Sequence, residues 1–438
     1  MFKDCTSLRY FSAPRNQIAY IGDNTFSHLT SMNSLDLSHN KLTELSNTSR
    51  DFHDIQISYL YLHYNQLTSI QANTFKRASF RYLYLRNNQI AYIDSNGFVN
   101  CSVSWYLYLY ANPLKYIRAY GFNGGSYYRI YMYGNEIRFL VTNAFHGISS
   151  TELDLSNNQI SYIEEAAFNT SSVDTLDLHD NALTNLLPMA FIGLSVNELS
   201  LYGNKIVVYP GDALFPLNLK VVDLRYNEIN EIPDGSFDFA SALETLDLDF
   251  NAIARLQGGL FDNAVSLKNL SISSNSIAYM AKNLFDNCAD IQRLQFADNK
   301  IYHVPQIGTN NSNISSIYID LTGNPVRSIA QGAFDFIAKG SISLSTTSLQ
   351  CGCAAYQSLV LSGITVGGSS ATCGYPPEVA GISLLSTSSD TGIQEDFLCA
   401  PVNLTYHQPS INVIDLSWSL ADGSDANASR FAFFTNIT

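Results

Sequence analysis

Charge is what this sequence has least of. Only 14% of its 438 residues are charged, and acids lead, with 38 Asp and Glu against 24 Lys and Arg and a formal net charge of −14. Soluble domains ordinarily carry about 25% charge, so this chain relies mostly on neutral Asn, Ser and Thr. No basic cluster occurs. That excludes an electrostatic nucleic-acid binder, because neutralising phosphates takes grouped cations. There is also no apolar run of about 18 residues, the length a bilayer span needs, so membrane attachment is expected only through regions outside this sequence. The start, Met1-Phe2-Lys3-Asp4-Cys5, has no apolar h-region and is not a secretory signal.

What the chain does have is a repeat. An Asn preceded by two alternating apolar residues recurs at 16, 40, 65, 88, 112, 135, 158, 181, 204, 227, 251, 275, 299 and 324. Around each runs the frame L-x-x-L-x-L-x-x-N-x-L-x-x-I, as in Leu35, Leu37, Asn40, Leu42 and Leu45, or Leu246, Leu248, Asn251, Ile253 and Leu256. The x-L-x-L-x core has period two and predicts a short strand with Leu inward. Fourteen stacked copies, about 4.8 Å apart, predict a parallel sheet on the order of 65 Å long. The Asn falls where the chain turns inward, and its amide can pair backbone groups that the turn leaves open. Ten residues further on, eleven repeats place Phe, from Phe26 to Phe334, predicting a buried column under the convex side. Phe52 and Phe215 are shifted, and the Asn299 repeat has no Phe but runs through Gly308-Thr309-Asn310-Asn311-Ser312-Asn313. Those three outer loops are expected to be irregular.

This frame resembles the leucine-rich repeat over roughly residues 1–350. The expected fold class is an α/β solenoid: a horseshoe with a parallel concave sheet of about 14–15 short strands, mostly irregular convex loops and a disulfide-rich C-terminal cap. The expected domains are the solenoid at 1–344, the cap at 345–400 and a further segment at 401–438. Leu344 through Leu349-Gln350-Cys351-Gly352-Cys353 aligns without gaps on the L-x-x-N-P-W-x-C-D-C start of the cysteine-rich cap of extracellular leucine-rich-repeat proteins, with Leu349 and Gly352 departing from it. Cys373 and Cys399 continue the likeness. The resemblance implies pairing Cys351 with Cys373 and Cys353 with Cys399; four cysteines by themselves permit three connectivities. Cys5, Cys101 and Cys288, three residues after a Phe, take a register that Leu fills elsewhere and are expected as buried free thiols. The last segment, with Ile414-Asp415-Leu416-Ser417-Trp418-Ser419, resembles the first strands of a fibronectin type III domain, with too few residues to close that sandwich. An unrelated β segment or a stalk is the alternative.

A disulfide cap implies an oxidising compartment. Nine Asn-X-Ser/Thr sequons, at Asn47, Asn100, Asn169, Asn269, Asn310, Asn313, Asn403, Asn427 and Asn436, point the same way, although a chain rich in Asn, Ser and Thr also produces them by chance. The expected location is extracellular or at the cell surface. Phe2-x-x-Cys5-x-x-Leu8 matches the outer half of a repeat, so the expectation is a chain that starts inside a coil, its signal peptide lost upstream.

Each repeat projects residues onto the concave face from slots six, four, two and one before the Asn. In the four repeats from Asn65 to Asn135, ten of these sixteen slots are Tyr: Tyr59, Tyr61, Tyr64, Tyr82, Tyr84, Tyr106, Tyr108, Tyr110, Tyr131 and Tyr133. Arg86, Arg129, His63 and Asn87 fill in between. Tyr brings large contact area with little entropy to lose, so these residues form the candidate ligand-binding patch. The alternative is that Tyr merely suits an exposed strand in duplicated repeats. From Asn158 to Asn251 the slots turn acidic, with Glu152, Asp154, Asp177, Asp180, Glu198, Asp223, Asp247 and Asp249. This row is either structural or a complement to a basic ligand. The eight His are scattered, and carboxylates such as Asp154 and Asp177 would face solvent, so no catalytic residue, metal or cofactor is expected. The function expected is recognition of a protein ligand by a receptor or adhesion protein; the alternative is a glycan-covered matrix spacer.

Overall fold

The computed structural model describes residues 5–22, 24–45, 52–214, 217–238, 240–308, 316–334, 337, 340–344 and 349–350, and the strands 365–367, 373–375, 403–410 and 413–419. One strand per coil joins a parallel sheet of sixteen, running from Tyr10–Ser12 to Thr365–Gly367. The register is unbroken between equivalent slots: Leu35 lies beside Leu60, Leu60 beside Leu83, Leu153 beside Leu176 and Leu246 beside Leu270. These leucines point inward and are essentially unexposed. Fourteen strands precede the ladder Asn residues; Gly340–Ser343 and Thr365–Gly367 extend the sheet by two more. Helix is nearly absent: among the described residues the α component is Gly211–Leu214.

The Asn ladder holds the coils together as its chemistry requires. In a typical rung, Asn181 Nδ2 donates to Leu178 O of its own coil and to Leu155 O of the preceding one, both at 3.1 Å. Its Oδ1 accepts the Ile160 N–H at 2.9 Å. Asn40, Asn65, Asn88, Asn158 and Asn299 repeat this pattern. Asn16 is the exception, exposed and bonded to Pro14 O. The residue before each Asn takes a left-handed turn, with φ of 54° at Asn87, 51° at Asn157 and 53° at Tyr226. At Gly203 the Asp180 carboxylate occupies the space a Cβ would take and would have to swing aside for a larger residue.

The Phe column runs beneath the outer turns as expected. Phe75, Phe98, Phe122, Phe145 and Phe168 stack at centroid distances of 4.8–5.4 Å. Phe52, shifted in sequence, still joins it between Phe26 and Phe75. Phe215 lies outside the described residues; just before it the outer loop forms the short helix Gly211–Leu214, and Tyr209 packs on Phe237 with tilted rings, centroids 4.7 Å apart. Residues 309–315 of the Asn299 loop lie outside the described residues.

Cys101 and Cys288 are buried free thiols, and burial pushes the Cys288 thiol up to about 12. Cys5 is exposed instead, correcting the expectation of a buried thiol: it lies in the first described coil, with no described neighbour to cover it. Cys351, Cys353 and Cys399, and with them both expected disulfides, lie outside the described residues; Cys373 opens the strand Cys373–Tyr375 beside Leu349–Gln350. Asn403–Ser410 and Val413–Ser419 pair antiparallel, Leu404 opposite Trp418. Among the described residues no helix is long and apolar enough to cross a membrane.

Candidate functional site: the concave tyrosine platform

Strand alternation sends every second side chain of the concave sheet outward, and neighbouring strands lie about 4.8 Å apart. That spacing suits stacked aromatic rings, which is how the tyrosines are arranged. In the slot four before the Asn, Tyr61, Tyr84 and Tyr108 form a near-parallel stack with centroids 4.7 and 4.9 Å apart, continued by Tyr131 at 5.7 Å. In the slot six before, Tyr59 stacks on Tyr82 at 5.3 Å, and Tyr106 follows at a tilt. Tyr110 stacks on Tyr133 at 4.7 Å, and Tyr64 on His39 at 4.4 Å. The ten sequence-selected tyrosines therefore do form one continuous surface.

Polar groups thread through this surface. The Arg86 guanidinium lies 5.4 Å from the Tyr64 ring and 5.7 Å from that of Tyr110, and donates to Asn87 Oδ1. Arg129 donates to the Tyr131 hydroxyl at 3.2 Å and pairs with Glu152 at 3.1 Å. Burial, then mutual repulsion among neighbouring phenols, pushes Tyr84 and Tyr108 up to about 12. Burial, with Arg86 and His39 nearby, brings His63 down to about 4. At neutral pH these three groups are uncharged, so the cations of the patch are its arginines.

One part of the platform escaped the sequence reading. Trp105 is 42% exposed and Tyr128 40% exposed, both on the same face. The Trp105 ring lies 6.0 Å from Tyr82 and from Tyr106, and Arg81 sits over it at 5.9 Å. It reaches the face through a β-bulge in Ser102–Tyr108, where pairing jumps from Val103 to Tyr106. The Asn88 to Asn112 interval has 24 residues, against 23 on either side, which accounts for the bulge. Trp105 and Tyr128 each stand seven residues before their Asn, as Arg81 does, a position outside the slots six, four, two and one before it.

The acidic row has a different character. Asp36, Asp154, Asp177, Asp223, Asp247 and Asp320, all four before their Asn, each accept the backbone N–H two residues on, at 2.9–3.1 Å. Asp in this slot closes the turn after the strand, a structural task. Arg225, also missed from sequence, bridges Asp223 at 2.6 Å and Asp247 at 3.4 Å. Asp249 accepts from Ser271 Oγ, Asp180 lies 3.9 Å from His179, and Glu198 accepts from Thr175. Burial raises Glu152 and Asp154, and burial with the charges of Asp249 and Asp223 takes Asp247 to about 6. In the four tyrosine coils the turn-closing slot holds Tyr61, Tyr84, Tyr108 and Tyr131, so these coils give up the Asp bond.

Asn100 and Asn169 lie on outer turns, away from the concave face, whereas Asn269 stands on the concave strand Asn269–Ser271. Asn403 falls in the strand Asn403–Ser410; Asn47, Asn310, Asn313, Asn427 and Asn436 lie outside the described residues.

Two family models match. The model described as leucine rich repeat matches at 150–206, 197–253, 217–277 and 241–301, and the BspA type leucine rich repeat region matches residues 1–127. No curated protein matches the chain. Among solved structures, a chain of the Drosophila Toll–Spatzle complex is similar at 17% identity and TM-score 0.53, over 92% of this chain and 60% of that one. A glycosylated form of that complex gives 15% identity and TM-score 0.47, over 93% of this chain and 64% of the other. A chain from the octameric complex of Latrophilin 3, Unc5D and FLRT2 gives 22% identity and TM-score 0.44, over 60% of this chain and 83% of that one. The chain thus spans less than two thirds of the Toll-complex chains' length.

Proposed function

The chain is built from leucine-rich repeats, and from that premise we propose that it is an extracellular recognition module, part of a secreted or cell-surface receptor or adhesion protein, that binds a protein ligand through its concave face. The observation that carries this reading is the replacement of a turn-closing Asp by Tyr in four successive coils. Six of the fourteen coils have that Asp and its backbone bond, and Ser12, Ser200, Ser271 and Gln295 fill the slot in four others. What sets the four adjacent tyrosine coils apart is that each fills the slot with a partly exposed ring stacked on the next, the kind of surface that serves protein contacts. The fold shared with a chain of the Toll–Spatzle complex, a molecular hub in Drosophila development and innate immunity, fits this reading.

The binding surface is Tyr59, Tyr61, Tyr64, Tyr82, Tyr84, Arg86, Tyr106, Tyr108, Tyr110, Arg129, Tyr131 and Tyr133, to which Arg81, Trp105 and Tyr128 are added. Disulfides between Cys351 and Cys373 and between Cys353 and Cys399, and glycans on the sequons, complete the proposal. Mass spectrometry of the unreduced chain tests the location: two disulfides agree with it, and four free thiols place the chain inside the cell. For function, the purified chain is screened against an array of secreted and cell-surface proteins, beside a variant with Tyr84, Tyr108 and Tyr131 replaced by Ser. A partner held by the native chain and lost by the variant supports recognition. Equal binding by both refutes the assigned surface, and an empty screen favours a glycan-covered spacer.

A further inference from the structure

The arrangement of the rings also says what kind of ligand they accept. Tyr84 has one face against Tyr61 and the other against Tyr108, at 4.7 and 4.9 Å. Its ring faces are used up within the stack, so the column presents ring edges and hydroxyls outward. Aromatic edges carry positive electrostatic potential and phenol hydroxyls donate hydrogen bonds; both suit anionic and carbonyl oxygens. A sugar ring, by contrast, needs an open aromatic face to lie on.

The charges of the platform have the same sign. Across the four tyrosine coils the concave slots, with the residue just before them, hold Arg81, Arg86 and Arg129 and no carboxylate. This inverts the balance of a chain with net charge −14. Arg129 is engaged with Glu152. Arg81 and Arg86 have no ion pair among the described residues, each lying instead over aromatic rings. Arg81 lies within the strand Ser79–Tyr84 and Arg86 two residues past its end, with Tyr82 and Tyr84 between them in sequence. Carboxylates return on the adjoining coils, where Asp36 lies beside Tyr61 and Asp154 beside Tyr131.

From this we infer that the ligand of the tyrosine platform is an acidic polypeptide segment, its carboxylates held by Arg81 and Arg86 and its backbone carbonyls by the phenol hydroxyls. The inference rests on the concave face being the binding surface. Guanidinium forks take carboxylates in two-point hydrogen bonds, and the acids on both flanks repel a segment that slides out of register.

The test is selection of a displayed library of random peptides on the immobilised full chain, with the enriched peptides then measured singly. Acidic peptides are expected. Their affinity should fall about tenfold or more in Arg81→Glu/Arg86→Glu and as salt rises past the point where the Debye length is about 5 Å, and stay unchanged in Arg255→Glu, far along the solenoid. Far-ultraviolet dichroism and melting confirm that each variant is folded. Neutral or basic peptides, or acidic ones indifferent to the Arg81 and Arg86 changes, overturn the acidic ligand; if their binding is still lost in Tyr84→Ser/Tyr108→Ser, the concave site survives. Binding unaffected by the Tyr changes overturns both. Binding of polygalacturonate with no peptide enriched also overturns the inference, assigning the face to an acidic glycan.

Discussion

Replacing Tyr84 by Asp restores at one coil what six others have, and so measures what the platform costs the fold. The loss is calculable: Tyr84 stacks on Tyr61 at 4.7 Å and on Tyr108 at 4.9 Å. At about 0.5–1.5 kcal/mol per aromatic pair, removing the ring costs on the order of 1–3 kcal/mol. Tyr84→Ser suffers that loss in full. Tyr84→Asp recovers part of it, because Arg86 follows two residues on, as Arg225 follows Asp223. There the Arg225 N–H donates to Asp223 Oδ1 at 3.0 Å, and the guanidinium bonds the same carboxylate at 2.6 Å. A turn bond of about 1 kcal/mol and a half-exposed ion pair of roughly 0.5 kcal/mol should leave the Asp variant about 1–1.5 kcal/mol more stable than the Ser variant. Urea unfolding at pH 7 measures the difference. At about pH 3, where carboxylates protonate, the advantage should shrink, since the neutral acid loses the ion pair. An Asp variant no more stable than the Ser variant at pH 7 refutes the claim that this slot is a turn-closing position given over to Tyr.

Three further outcomes follow from the same geometry. Asn158→Ala leaves Met132 O, Leu155 O and the Ile137 N–H without their amide partner and should destabilise by about 2–4 kcal/mol in urea unfolding; a loss below about 1 kcal/mol contradicts the ladder's role. Among the described residues the buried Tyr127 hydroxyl has no hydrogen-bond partner, so Tyr127→Phe should leave stability unchanged or raise it by about 1 kcal/mol, whereas a clear loss reveals a partner for that hydroxyl. Asp247 is raised from 3.8 to about 6, so its contribution is fully present below the unfolded value near 3.8 and is lost as pH rises through about 6. Asp247→Asn should therefore gain about 1–2 kcal/mol at pH 7 after allowance for solvent screening, and little at pH 4; a gain that is equal at both pH values rules this origin out.

The fold was legible because each coil repeats the same decision. An inward Leu pair, a turn Asn and an outer Phe meet their copies in the next coil, so one register error would break every contact at once. The shifted Phe52 still packs in the column between Phe26 and Phe75, where its ring is buried. Period-two alternation likewise located the tyrosines. Trp105 and Tyr128 were hidden because the slots stop six before the Asn, and both stand seven before it. The bond from the middle-slot Asp to the N–H two residues on was hidden for another reason: it is a local turn interaction that composition shows only as an acidic row. Arg225 went unseen with it, although it neutralises part of that row. Cys5 was misjudged because a buried register needs a coil on each side, and none is described before it.

The central claim is that recognition belongs to the concave tyrosines. Its most direct test compares two variants against one partner from the screen. The first replaces Tyr84, Tyr108 and Tyr131 by Ser; the second replaces Tyr92 and Tyr116, a stacked pair 5.6 Å apart on the separate short sheet that follows the ladder Asn residues. Dissociation constants measured side by side should rise about a hundredfold or more for the first, as loss of central aromatic contacts does at protein interfaces, and stay within about twofold for the second. The reverse ranking, or equal weakening by both, contradicts the account.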